Sequence, residues 1–204
     1  MSGEPRVGRD ENAANLRLFF AVPLAEELRD RAVELQRELS RSARDARVKW
    51  VERENLHLTL KFVGDTPAGR LDELIAIARQ VAGEAKSCEL HYRGVGFFAG
   101  RGLPRTIWLG LAHEAPELTA LAKALDEALA RAGLAEGARR PFRGHLTLGR
   151  VKDARGSKGL VRAIGELAEA PVGTQRMRDF TLISSELTGT GPIYTERAVF
   201  GLVD

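Results

Sequence analysis

The tetrapeptide His-Leu-Thr-Leu occurs twice in this chain of 204 residues, at 57–60 and at 145–148. The two copies contain His57 and His145, two of only four histidines in the chain. Successive side chains of an extended strand point to opposite faces, so each copy places its histidine and threonine on one face and its leucines on the other. We therefore predict two strands, each with a buried apolar face. The other face carries the imidazole of His57 and the hydroxyl of Thr59 in the first strand, and those of His145 and Thr147 in the second.

These residue types suit acid–base chemistry at phosphorus. A histidine can be the neutral base on one side of a bound group and the protonated acid on the other, because its ordinary pKa lies close to cellular pH. Two such strands that face each other across a cleft would present two imidazoles and two hydroxyls, as an in-line displacement requires. The alternative is structural, with duplicated halves that keep one core strand and histidines that only hydrogen-bond locally. Leucines alone would satisfy packing, which favours the functional interpretation.

Composition and charge narrow the class of protein. The hydrophobic fraction of 44% is enough for a sizeable core in a chain of this length, and the net charge is only +3. The positive charge comes from 25 arginines against 6 lysines, and the planar guanidinium suits phosphate. This balance permits an anionic substrate but does not favour a protein that coats long duplexes.

No sequence feature points to a membrane, a disulfide or a metal. The first 15 residues lack the apolar run of a secretory signal, and no stretch is long enough to span a bilayer. The single cysteine, Cys88, cannot form an internal disulfide, and His91 and His113 lack zinc spacing. We expect a cytoplasmic protein that uses no metal and no cofactor.

Hydrophobic periodicity predicts strands interspersed with helices. Apolar residues three or four positions apart predict two helices that begin at Pro23 and after Thr66-Pro67. They also predict a helix over about 116–132 and a weaker one over 160–168. The short apolar runs that predict strands are 16–22, 48–51, 56–63, 88–98, 106–112, the second motif, 177–187 and 193–202. This order indicates an α+β fold, and one motif strand in each half suggests an internal pseudo-two-fold repeat.

The stretches around the two motifs resemble a known family. They are 18–24, Trp50-Val51 ahead of 55–64, 141–143 ahead of the second motif, and 191–195. The paired motif resembles that of the two-histidine phosphoesterase superfamily. The flanking stretches resemble, within it, the bacterial and archaeal RNA 2′,3′-cyclic phosphodiesterases, also called 2′-5′ RNA ligases. The resemblance spans about residues 16 to 202, with residues 1–15 expected to be a disordered tail and 16–204 a single domain.

The resemblance implies a fold and a reaction. The fold is bilobal, with two antiparallel sheets, outer helices and the two motif strands lining a central cleft. The reaction is metal-free hydrolysis of an RNA 2′,3′-cyclic phosphate to a 2′-phosphomonoester, together with reversible 2′-5′ ligation of RNA. In these roles His57 protonates the leaving oxygen and His145 activates water, while Thr59 and Thr147 donate to non-bridging oxygens. The expected partner is an RNA with a cyclic phosphate end, bound by a monomer.

The sequence offers three candidates for the cation that binds phosphate. Arg150 resembles the family's phosphate-binding arginine, but strict alternation from His145 would place it on the leucine face. A bulge at Gly149 would remove this conflict. Arg143 and Lys61 lie an even number of residues from their histidines, so alternation favours these two. All three remain candidates.

Two other functions use the same residues differently. A sister enzyme of the superfamily would cleave cyclic nucleotides, ADP-ribose cyclic phosphate or 2′-5′ oligonucleotides with the same histidines. A non-catalytic module that binds RNA ends is the alternative from another class. The presence of both histidines and both threonines argues against it, because binding alone relies more on arginines and aromatic residues.

Overall fold

A computed structural model describes residues 15–43, 46–100, 103–113, 115–153, 157–189 and 191–204. These ranges form nine strands and four α-helices. The first half contains β1 (Asn15–Pro23), α1 (Glu26–Ser42), β2 (Arg47–Trp50), β3 (His57–Pro67), α2 (Leu71–Ala82) and β4 (Cys88–Gly100). The second half contains β5 (Leu103–Leu111), α3 (Pro116–Arg131), β6 (Leu146–Asp153), α4 (Lys158–Glu166), β7 (Pro171–Met177), β8 (Asp179–Leu187) and β9 (Pro192–Gly201).

Most predicted elements are present, with two differences at strands. The strand β7 is absent from the sequence prediction because only Val172 and Met177 of its seven residues are buried, which leaves no apolar run. The first strand begins at Asn15, inside the expected tail, and the other residues of that tail lie outside the described residues.

None of the described helices is long and apolar enough to cross a membrane.

The strands form one curled antiparallel sheet in the order β7-β4-β5-β6-β3-β1-β8-β9, and β2 pairs with β6. The α+β class is confirmed. The two expected sheets are joined at the centre, where β3 and β6 pair at Leu58 and Leu146. These are equivalent residues of the two motifs, so a pseudo-two-fold axis through this pair relates four strands on either side.

The halves of the sequence exchange strands across this axis. The strand β4, which follows α2, pairs with β5 and β7 of the second half. In the same way β8, from the second half, pairs with β1. Each side of the sheet is therefore completed by strands from the other half of the chain.

The core lies between the leucine face of the motif strands and the helices. The buried apolar residues form one cluster, which includes Leu58, Leu146 and the buried faces of all four helices. Leu58 and Leu146 are completely buried. Burying a leucine side chain stabilises the fold by about 1.5–3 kcal/mol, so this face holds the central strands in place. The opposite face of the motif strands carries their histidines and threonines.

Candidate active site

The junction of β3 and β6 brings the two motif histidines together. Leu58 lies opposite Leu146 in the antiparallel register, and both point into the core. His57, which begins β3, and His145, which directly precedes β6, therefore lie on the other face of the sheet, and both are partly exposed. Diagonal neighbours in such a pair are roughly 7–8 Å apart, a separation across which a phosphate group fits.

The same register places the threonines beside the histidines. Continued by one residue from the Leu58–Leu146 pair, it sets Thr147 across from His57 and Thr59 across from His145. Each imidazole thus has a hydroxyl on its own strand and another on the facing strand. The two imidazoles and the two threonines therefore share one face of the sheet at the junction of β3 and β6.

A backbone carbonyl orients each imidazole. The Nδ1 atom of His57 lies 2.8 Å from the carbonyl oxygen of Asn55, and Nδ1 of His145 lies 2.8 Å from that of Arg143. A carbonyl oxygen only accepts hydrogen bonds, so Nδ1 carries a proton in both rings. Nε2 is therefore the nitrogen of each ring that is not bonded to a backbone carbonyl. In His57, Nε2 lies 3.0 Å from the hydroxyl oxygen of Thr59.

Aromatic rings pack against both imidazoles. The ring centroid of His57 lies 4.9 Å from that of Phe19 and 5.5 Å from that of Tyr194. His145 meets Phe98 edge to face at 4.9 Å. Burial lowers the pKa of His57 from its ordinary 6.5, and the hydrogen bond to Asn55 acts in the opposite direction. His57 is therefore predominantly neutral at pH 7 when the site is empty.

Arginine charges reach the same surface. Burial raises the pKa of Tyr194, and the positive charges of Arg150 and Arg17 act against this increase. Since the ring of Tyr194 packs on His57, the charge of Arg150 acts at the histidine surface. Arg150 itself is exposed.

A β-bulge explains how Arg150 reaches this face. On β5, Trp108 pairs with Thr147, whereas the next residue, Ile107, pairs with Gly149. Leu148 is therefore the extra residue, and the alternation shifts by one after it. Arg150 consequently shares a face with Thr147. The alternation argument against Arg150 is wrong for this reason, and the bulge lies beside Gly149, as the alternative required.

An equivalent bulge in β3 moves Lys61 away from the histidines. Phe20 pairs with Lys61 but Ala21 pairs with Thr59, so the alternation shifts at Leu60. The ammonium of Lys61 is mostly buried, forms an ion pair with Asp126 of α3 and donates to the carbonyl of Glu136 at 2.6 Å. The structure does not place Lys61 with the histidines.

Phe62 occupies the place that alternation assigned to Lys61. It lies five residues after His57, as Arg150 lies five residues after His145, and the residue is 64% exposed. Phe62 packs 6.0 Å from Phe19, which also contacts His57. Sequence reasoning missed this residue, although its equivalence to Arg150 in the repeat was a usable signal.

Arg143 lies at the other histidine. Its guanidinium carbon lies 5.6 Å from the centre of the Trp108 ring, a cation–π arrangement. Arg143, Trp108, Phe98 and His145 line part of a cavity of about 850 Å³. Arg143 and Arg150 are thus both brought to the motif surface.

Within the described residues, no group of three or more His, Cys, Asp or Glu side chains could hold a metal. His91 and His113, which stand apart in the sequence, have ring centroids 6.2 Å apart, and Glu89 lies 3.2 Å from His91. His113 lines the same cavity as His145, whereas His91 and Glu89 do not line it.

Comparison with known proteins agrees with this geometry. The family described as "LigT like Phosphoesterase" matches residues 22–108 and again residues 109–194. The RNA 2′,3′-cyclic phosphodiesterase of Methanothermobacter thermautotrophicus is 40% identical over 92% of this chain and 99% of its own length. The same name belongs to a protein of Archaeoglobus fulgidus that is 35% identical over 91% of this chain and 99% of its own.

Solved structures show the same fold. The structure of TT0787 from Thermus thermophilus superposes with a TM-score of 0.76 at 31% identity, over 92% of this chain and 98% of that protein. One family matches the chain twice, and each match contains one motif strand, β3 in 22–108 and β6 in 109–194. The chain therefore belongs to the LigT-like phosphoesterase family.

Proposed function

We propose that this protein hydrolyses the 2′,3′-cyclic phosphate at the end of an RNA to a 2′-phosphomonoester, with His57 as general acid and His145 as general base. The observation that carries the proposal is the junction of β3 and β6, where two imidazoles share one open face and each has Nδ1 bound to a carbonyl. This arrangement leaves two Nε2 atoms to act on one phosphorus from opposite sides.

The reaction needs two proton transfers. Nε2 of neutral His145 takes a proton from water as the water oxygen bonds to phosphorus. The bond between phosphorus and the ribose O3′ breaks, and Nε2 of protonated His57 delivers its proton to O3′. The products are a 2′-phosphomonoester and a free 3′-hydroxyl, so atoms and charge balance.

Three other residues offset the negative charge that grows on the non-bridging oxygens. The hydroxyls of Thr59 and Thr147 are hydrogen-bond donors beside the two histidines, and Arg150 supplies positive charge on the same face. Removal of one such donor typically reduces turnover by about 10²–10³-fold. Arg143, stacked on Trp108, is a second cation close to His145.

The lowered pKa of His57 must be reconciled with its role as acid. In the empty site, burial favours the neutral ring. A bound phosphodiester brings a negative charge next to Nε2 and raises the pKa, because an opposite charge within about 4–6 Å favours the imidazolium. Substrate binding thus loads His57 with the proton that it later donates.

RNA is the favoured substrate class for two reasons. Two relatives that match this chain over 99% of their own length are named RNA 2′,3′-cyclic phosphodiesterases. The exposed ring of Phe62 lies beside the histidine surface, where a base can stack on it. Ligation follows from the same chemistry, with the 5′-hydroxyl of another RNA in place of water and a 2′-5′ linkage as product.

The test is incubation of an oligoribonucleotide that ends in a 2′,3′-cyclic phosphate with the protein in excess EDTA. We expect hydrolysis, and ³¹P NMR should identify the product as the 2′-phosphomonoester. Matched reactions with His57→Ala and His145→Ala should show little product. A 3′-phosphate product, or activity that zinc or magnesium must restore, would overturn the mechanism. Tight binding of the oligonucleotide without turnover would instead support a module that only binds RNA ends.

A further inference from the structure

The bulge that turns Arg150 toward the histidines is bonded by a side chain from α1. Gln36 is only 6% exposed, and its amide nitrogen lies 2.9 Å from the carbonyl oxygen of Leu148 and 2.8 Å from that of Val51. Both acceptors are carbonyls, so the amide group must present its NH₂ end to them. One buried side chain therefore joins the bulged residue of β6 to the residue that follows β2.

The bonds of Gln36 fall on the residue that makes the bulge. Leu148 has no partner on β5, because Trp108 pairs with Thr147 and Ile107 with Gly149. The Leu148 carbonyl accepts from the backbone of Val51, at 2.9 Å, and from Gln36. Both lone pairs of this oxygen are thus used, which favours the bulged conformation over a regular strand.

The opposite side of the bulge is closed by packing. A Cβ atom at Gly149 would lie 2.8 Å from the ring of Trp50 and 3.0 Å from Val48. Gly149 therefore lets β2 approach closely, and that approach brings the Val51 carbonyl within reach of Gln36. The bulge is held by a residue 112 positions away from Leu148 in the chain.

We propose that Gln36 is a positioning residue for Arg150: its two hydrogen bonds fix the bulge at Leu148 and so hold the guanidinium on the histidine face. The inference rests on the proposed function, in which Arg150 binds the phosphate. Gln36 bonds to the carbonyls of Val51 and Leu148, and its effect on catalysis passes through Arg150.

A double-mutant cycle tests this coupling. Gln36→Met keeps an unbranched side chain of similar length and removes both donors. We expect it to lower kcat/KM on the cyclic phosphate by about ten-fold, since small displacements of a binding group are costly. In an Arg150→Ala background the same substitution should lower kcat/KM by less than about two-fold. An equal loss in both backgrounds would show a general structural role and overturn the proposal, as would full activity of folded Gln36→Met.

The matched control is Gln175, another glutamine that bridges two backbone groups. Its side chain accepts from the amide of Ala25 at 2.9 Å and donates to the carbonyl of Pro23 at 3.0 Å. Gln175→Met should change kcat/KM by the same factor in the wild-type and the Arg150→Ala backgrounds. If Gln36→Met does not fold, Gln36→Glu replaces it in the cycle. That variant has nearly the same shape and at most one proton to donate.

Binding separates this inference from the proposed function. The Kd of inorganic phosphate, measured by calorimetry, should weaken in Gln36→Met and Arg150→Ala, and the double variant should be no weaker than Arg150→Ala. If the wild-type protein binds phosphate with this coupling but leaves the cyclic phosphate intact, the proposed reaction fails and the positioning role stands. If catalysis occurs without the coupling, the positioning role fails alone.

Discussion

At the scale of single residues, the two histidines are similar in anchoring and different in surroundings. Both donate from Nδ1 to the carbonyl of the residue two positions earlier. His57 is additionally enclosed by Phe19 and Tyr194 and bonded to Thr59, and burial lowers its pKa. These differences allow the two proposed roles to be tested separately.

The leaving group should distinguish the acid from the base. If His57 protonates the departing O3′, His57→Ala should lower kcat/KM on an RNA cyclic phosphate by about 10²–10⁴-fold. It should retain much of its rate on an accepted phosphodiester with an activated phenolate, which departs without a proton. His145→Ala should stay slow on both substrates, as measured by kcat/KM. Rescue of His145→Ala alone would show that acid and base are exchanged.

The pKa of His57 should be visible by NMR. We expect the chemical shift of its ring C–H protons to change with pH, with a midpoint below pH 6.5 in the free protein. The midpoint should rise when inorganic phosphate binds. Because the folded pKa is depressed, the unfolded chain binds the proton more readily, and the free energy of unfolding falls as pH drops through 6.5. His57→Asn assigns the resonance. A midpoint above 6.5 in the phosphate-free protein would contradict the effect of burial.

At the scale of elements, the bulges in β3 and β6 decide which side chains share a face with the histidines. Both shift the alternation after the second leucine of the motif. In β6 the shift turns Arg150 toward the histidines, and in β3 it turns Lys61 toward Asp126 and leaves Phe62 exposed. The two halves thus use one backbone irregularity to present an arginine on one side and an aromatic ring on the other.

Substitution of the two cations should therefore have different consequences. Arg150→Ala should lower kcat/KM by about 10²-fold, since it removes a charged donor to the phosphate. Lys61→Ala should leave kcat/KM nearly unchanged but lower the free energy of unfolding by about 1–3 kcal/mol, because Asp126 loses its ion-pair partner and keeps only the amide of Ala138. Lys152→Ala, an exposed cation on β6, is the control for both. A silent Arg150→Ala beside a damaging Arg143→Ala would transfer the phosphate role to Arg143.

At the scale of the whole molecule, strand exchange ties the two halves together. The central contact between β3 and β6 is a single residue pair, but β4 pairs with β5 and β8 pairs with β1. Neither half can complete its side of the sheet, and each would expose the unpaired edges of its own strands. We infer that residues 16–204 fold as one domain.

Separated halves should not fold alone. Fragments 15–100 and 103–204, expressed individually, should show no cooperative thermal transition by circular dichroism. Co-expressed, they should associate into a complex that unfolds cooperatively and cleaves the cyclic phosphate. A cooperative transition in either isolated fragment would contradict the single-domain inference.

The two faces of the motif strands and the core of this protein were predictable from sequence because both depend on short-range patterns. The alternation of His, Leu and Thr within one tetrapeptide assigns two faces without knowledge of any neighbour, and leucines at helical spacing predict the helices over them. The paired motif and its flanking residues indicated the family, which the comparisons confirm.

Only the tertiary structure decided which further residues join the histidines. Alternation favoured Lys61 over Arg150, and both assignments were reversed by bulges that depend on pairing with β1, β2 and β5. The bulge at Leu148 is held by Gln36, and Lys61 is withdrawn by Asp126, contacts that span 112 and 65 residues of chain. A local pattern defines the two faces of a regular strand, whereas the position of an irregularity follows from distant hydrogen bonds that the pattern does not contain.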